Sequence, residues 1–300
     1  MRRGIVLFIT LAILLMLSTI VMLFLKEGAQ IKESVRENVA TVQTNLLLND
    51  MSSFLRSQNF TQEDIFYGSD IPVALDLGTI RGSISLTSSQ RRININNFLK
   101  AVMKEEQALL TLLEWLDRQK IKNPPFIVSL LLDSYDADSY ERMNGSEIVL
   151  QKPWFQDGYI ANERALEAIL SRYSELSGDY NISIERWIRV FGFEGDNIDL
   201  NYANSDQLLL LFPELPRIAI ESLAKHDTLY KSAADTPIDP ESKIKLTKSR
   251  FGIVPTFKTS KIEVDIEFST AQECSGKMSF LMELKKKRIE SLSLSPMKCP

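Results

Sequence analysis

The chain has 300 residues, 44% of them hydrophobic and 25% charged, which excludes a disordered or fibrous protein and leaves enough apolar material for a sizeable core. A formal net charge of −4 supplies no global attraction to nucleic acid. One histidine and two cysteines are too few to assemble a zinc site or histidine-based chemistry readily.

The chain opens on Met1, Arg2, Arg3 and Gly4, and residues 5–25 then pass without a charge until Lys26 and Glu27. At ~1.5 Å per residue that run spans about 30 Å, the thickness of a bilayer core. Arg2 and Arg3 place the N-terminus in the cytoplasm and the rest of the chain outside it. Three processing fates fit such a segment: a removable signal, a plain anchor, or a prepilin-type leader cut between Gly4 and Ile5. The run is long for a signal core, and no Ala-x-Ala site follows it. A glycine at the membrane face leaves the bond before Ile5 accessible. Beyond the run, Ile31, Val35, Val39, Val42, Leu46, Phe54 and Leu55 continue a helical pattern without proline or glycine. One long helix is expected from the membrane to about residue 58, its 26–58 part lying outside the membrane.

Residues 78–86 alternate as a strand; residues 92–96 follow, and Asn97 leads into an apolar helical stretch. Phe98, Val102, Leu109, Leu110, Leu113 and Leu116 then share a helix face that Pro124 and Pro125 end. Further helices are predicted over 126–132, 162–173, 182–191, 204–212 and 218–226. Residues 235–248, with Pro237 and Pro240, have the composition of a linker. Strands are predicted at 244–246, 262–268 and 278–284, with a turn at 273–277 around Gly276. One strand thus precedes the helical region and the others follow it. The expected fold class is α+β: a long N-terminal helix packed on an antiparallel sheet, with an all-helical domain inserted into the sheet. The expected boundaries are 59–96 and 236–300 for the two parts of the β domain, and 97–235 for the insert.

Several segments have chemical character. Asp133, Asp136 and Asp138, then Gly145 and Glu147, bring oxygen ligands and a turn glycine together at short spacing. That suits a hard cation such as calcium, although the spacing is not that of an EF-hand; a solvated acidic turn is the alternative. Residues 198–208 resemble the first half of a helix-hairpin-helix, with Asn204 and Gln207 spaced for a capping box. Its hairpin carries Pro213, Glu214 and Pro216 where a phosphate-binding version needs glycine amides, which argues against nucleic acid. Cys274 and Cys299, an even pair in a domain expected outside the cytoplasm, favour a disulfide; two free thiols are the alternative. The basic run Lys285 to Arg288 is expected to be a solvated strand end that deters edge pairing. No nucleophile–base pair, phosphate loop or paired catalytic carboxylates stand out, so a structural protein is expected rather than an enzyme.

In order, Arg3 and Gly4 before the apolar run, residues 92–96, the acidic 133–147 loop, residues 198–203 and the β-rich tail resemble the minor pseudopilin K family of type II secretion, the general secretion pathway protein K family. That resemblance implies a pilin-like fold with a helical insert of the SAM or helix-hairpin-helix type. It implies cleavage at Gly4 by prepilin peptidase and assembly with other minor pseudopilins and the major pseudopilin. It places the chain in the inner membrane, its outer domain periplasmic and drawn into the pseudopilus tip. Calcium in the insert is also implied, with Asp133, Asp136, Asp138 and Glu147 in the best-matching segment. Most pilin-like proteins carry a glutamate at the fifth mature residue; after a cut at Gly4 that position is Ile9, and the K-type subunit shares this exception. A subunit without that carboxylate cannot neutralise a neighbour's N-terminal amine ahead of it, which suits the filament tip. The rival expectations are a membrane-tethered nucleic-acid receptor and a minor pilin of a type IV or DNA-uptake system.

Overall fold

A computed structural model of the chain describes residues 48–57, 59–68, 73–76, 80–270 and 275–295, together with 26, 42 and 46. Gly4, Ile5 and Ile9 lie outside these residues with the whole apolar run, and so do Cys274 and Cys299. Among the described residues no helix is long and apolar enough to cross a membrane.

Helix α1 covers 48–57 and α2 covers Gln62–Gly68. Thr61 and Asp64 cap α2 reciprocally: Thr61 N donates to Asp64 Oδ2 at 2.8 Å and Asp64 N to Thr61 Oγ1 at 3.1 Å. Met51 and Leu55 of α1 and Ile65 of α2 are buried in one apolar cluster with the sheet. The helical pattern had nominated Val42, Leu46 and Phe54 as well, but these are exposed. On α1, at about 100° per residue, Phe54 falls about 60° round from Met51 and about 100° from Leu55, at the edge of the buried side.

Strand β1 covers Val73–Asp76 and pairs antiparallel with β2, Ile80–Ser88. The chain then leaves the sheet. It forms β3 (Ile93–Asn94), α3 (Ile95–Val102), α4 (Glu106–Arg118), α5 (Pro124–Tyr135), α6 (Glu163–Ser177), α7 (Ile184–Val190), β4 (Phe191–Gly192), β5 (Asn197–Asp199), α8 (Ser205–Leu211), α9 (Arg217–Leu223), α10 (Pro240–Lys245) and β6 (Val254–Thr256). It returns as β7 (Lys261–Thr270), β8 (Ser275–Glu283) and β9 (Arg288–Leu294). The sheet order is β1-β2-β7-β8-β9, all neighbours antiparallel. Two sheet neighbours, β2 and β7, are therefore separated in sequence by the whole helical segment.

Register decides which side chains face the core. Ile84, Ile266 and Met278 lie in one cross-strand row, and Leu86, Val264 and Phe280 in the next. These face α1 and α2. The alternate rows carry Ser83, Glu267 and Lys277, then Ser85, Asp265 and Ser279, and form the wet face.

The helical segment has its own core, with Trp115, Trp187 and Phe191 in mutual edge and tilted contact at 5.0–5.7 Å between ring centroids. That core takes in Ile93 and Ile95 before residue 97, and Leu246, Phe251 and Ile253 after residue 235. Two parallel pairs, β3 with β4 and β5 with β6, close it at the sheet side.

Several local expectations are corrected. The strand expected at 244–246 is the end of α10, because Asp239 accepts from Ser242 N and Pro240 sits in the first turn. Proline there starts a helix rather than marking a linker. The helix face expected from Phe98 to Leu116 is two helices, broken at Glu105, whose backbone is extended. Residues 275–277, expected in the turn, belong to β8. Residues Leu284–Lys287 form a turn, and the chain continues into β9 where the sequence reading stopped.

Candidate functional site

Helix α5 carries the first acidic residue into the protein. Asn123 accepts from Phe126 N at its N-terminus, Pro124 and Pro125 fill the first turn, and the helix is buried along most of its length. Asp133, in its last turn, is completely buried. The chain from there to α6 has no helix or strand between 136 and 162, a length at which structureless connections tend to be functional.

This loop is ordered by its own polar contacts. Arg142 N donates to Asp133 Oδ2 at 3.1 Å, and Ser146 Oγ donates to the same oxygen. Met143 N donates to Ser146 Oγ at 3.0 Å. Gly145 has φ +85°, and a side chain there would also press on Leu176. This is the sharp turn that the sequence required of it. The Arg142 guanidinium pairs through Nη1 with both Asp133 and Asp136.

Glu147 is completely buried, and neither carboxyl oxygen has a donor. Burial, then Asp157, Asp133 and Asp136 in turn, push its carboxyl up to about 7. Asp157 is raised as well, chiefly by burial, and its Oδ1 has no donor. Two carboxyls that face each other can share a hydrogen bond only while one holds a proton. The site therefore holds four carboxyls, Asp133, Asp136, Glu147 and Asp157, against the single guanidinium of Arg142.

Three of the four residues nominated from sequence are thus brought together. Asp138 is not: it is exposed, with Oδ1 accepting from Tyr140 N at 2.9 Å in a local turn. Asp157 was missed, and only its position in the same long loop pointed to it. As the side chains stand, no three His, Cys, Asp or Glu groups among the described residues close on a metal ion. The donor chemistry nevertheless fits a hard divalent cation: four oxygen-bearing groups, with buried oxygens on Glu147 and Asp157 that lack any donor.

The other nominated segment serves packing. The Asn204–Gln207 capping box is present, and Gln207 Nε2 also donates to Arg91 O and Val190 O, tying α8 to the segment leaving the sheet. In the hairpin between α8 and α9, Phe212 and Leu215 are buried and Glu214 pairs with Arg250 at 2.6 Å. Asp199 and Asn201 form a buried hub where the helical segment meets the sheet. Thr259 Oγ1 donates to Asp199 Oδ2 at 2.7 Å, and Asn201 Nδ2 donates to Tyr230 O and Phe257 O. Burial raises the Asp199 carboxyl, against the hydrogen bonds from Thr259 and Asn201 that lower it.

No protein-family model matches the chain, and no curated protein matches it in sequence. Among solved structures, it is similar to a chain in the crystal structure of the GspK-GspI-GspJ complex from the enterotoxigenic Escherichia coli type 2 secretion system. The two are 13% identical, with a TM-score of 0.48; the match covers 92% of this chain and 99% of that one.

Proposed function

We propose that this protein is a minor pseudopilin that sits at the tip of a type II secretion pseudopilus and primes its assembly. Its role is structural. In this reading prepilin peptidase cuts after Gly4 and N-methylates Ile5, and the 5–25 helix holds the subunit in the inner membrane until the filament takes it up. The β domain and its helical insert face the periplasm. Other minor pseudopilins and the major pseudopilin are the partners.

The observation that carries the reading is the split sheet: β2 and β7 are neighbours, yet the entire helical segment runs between them. That order, behind a basic leader ending in Gly4 and an uncharged run, is the order the family resemblance implies. Helix α1 adds support. Phe54 on α1, and Val42 and Leu46 before it, are exposed apolar residues, as packing against neighbouring helices would require. Ile9 in place of a glutamate supports the tip position. Within the insert, Asp133, Asp136, Glu147 and Asp157 would hold calcium, which would neutralise the buried carboxylates and fix the long loop.

Replacing Gly4 by a bulky residue, Gly4→Val, should leave a slower-migrating precursor that does not assemble and does not support secretion. Normal maturation and secretion of that variant would contradict the leader reading.

A further inference from the structure

We propose that Arg142 is a built-in counter-ion for the acidic loop, one that a divalent cation must displace; this rests on the reading of the loop as a cation site. The placement of the guanidinium supports this. Nη1 lies between Asp133 and Asp136 and pairs with both, so it stands where a cation shared by these two carboxylates would stand.

The charges do not balance. One guanidinium faces four carboxyls and serves two of them, leaving Glu147 and Asp157 with oxygens that no donor reaches. A divalent cation carries twice the charge and accepts oxygens from any direction, whereas the planar guanidinium fork serves only groups in its plane. The guanidinium also has an exit path. The Arg142 side chain is one-third exposed while Asp133 is fully buried, so the guanidinium can swing to solvent. Its backbone N–H can keep its 3.1 Å bond to Asp133 meanwhile. The loop would remain anchored through the exchange.

The device has a clear consequence. Without the cation, Arg142 keeps the carboxylates from forcing the loop open. With it, every binding event first removes Arg142, so affinity is lower than the bare carboxylates would give. If the guanidinium leaves the site open in roughly a tenth of molecules, its removal tightens binding about tenfold.

The test is calcium titration by calorimetry, paired with melting in chelator and in calcium, on the detergent-solubilised full chain and its Arg142→Gln and Arg142→Lys variants. Arg142→Gln should bind calcium about tenfold more tightly than the parent, melt lower in chelator, and gain more from calcium. Arg142→Lys, which keeps the charge without the fork, should lie between the two. If the parent binds calcium and both variants bind with unchanged or weaker affinity, the counter-ion proposal is wrong while the cation site stands. If the parent and the variants all fail to bind, the cation site itself is wrong and the proposal falls with it. Should Arg142→Gln not fold, Arg142→Lys decides alone: affinity equal to or below the parent's overturns the proposal.

Discussion

Glu147 is buried beside half-buried Asp157, whose Oδ1, like both Glu147 oxygens, has no donor, and this has a measurable cost. The carboxyl of Glu147 titrates near pH 7 in the folded chain but near 4.5 when free. The folded state therefore holds a proton that the unfolded state releases between those values. The associated stabilisation is fully present below about pH 4.5 and is lost as pH rises through about 7. Its size is on the order of 3 kcal/mol. In chelator, the melting temperature should fall as pH is raised from 5 to 8, and Glu147→Gln should flatten that dependence. Calcium should reverse the trend, because it binds the deprotonated carboxyls. A profile that Glu147→Gln leaves unchanged would remove Glu147 from this role. The acidic character of the site was legible in the spacing of Asp133, Asp136 and Glu147. Arg142 and Asp157 were not, because their contribution depends on how the loop closes back on the end of α5. The same closure leaves Asp138 outside, although its spacing made it as good a candidate as its neighbours.

Elements show the same division between local and long-range information. The capping box at Asn204 was legible in full, whereas Pro124 and Pro240 read as breaks although each sits in a first helical turn behind a capping side chain. Strand β7 was legible because Ile262, Val264, Ile266 and Phe268 alternate with acidic residues. The two-residue strands β3 and β4 were not, since a parallel bridge between residues about a hundred positions apart leaves no local pattern. Sheet packing also assigns a role to Gly82. It lies opposite Phe268, and a Cβ there would stand 2.0 Å from Glu267 O, in the neighbouring backbone. Gly82→Ala must push β2 from β7 at that point, a strain of about 1–3 kcal/mol. Chemical denaturation should show that loss, and a variant as stable as the parent would mean that the strands do not approach so closely. The C-terminal edge strand β9 escaped prediction because the basic run before it has the look of a chain end. Lys287 instead adopts a positive φ and turns the chain back.

At the scale of the molecule, the two halves are joined by polar groups and by Tyr202, whose ring meets Phe66 edge-on at 5.7 Å, rather than by a continuous apolar core. The apolar cluster of the sheet and that of the helical segment are separate. Between them, Gln90 Oε1 accepts from Ser260 N, and Gln62 exchanges two bonds of 2.8 Å with the Thr259 backbone. Glu263 pairs with Arg91 and Arg92. Buried Asn201 binds the backbone of both Tyr230 and Phe257. Asn201→Ala strands these groups and should cost on the order of 3 kcal/mol. Hydrogen exchange should then rise at 230 and 257–260 before it rises in the centre of the sheet. Uniform loosening would argue against a distinct joint. In the proposed role, such a joint would let the helical unit be carried on the sheet without disturbing α1. The proposed filament role turns on the residues before that helix. The most direct measurement is the N-terminal peptide of the mature protein, taken from membranes of its own cell and read by mass spectrometry. The account predicts a chain beginning at N-methylated Ile5. A chain that begins at Met1, or one cut beyond the apolar run, would contradict it.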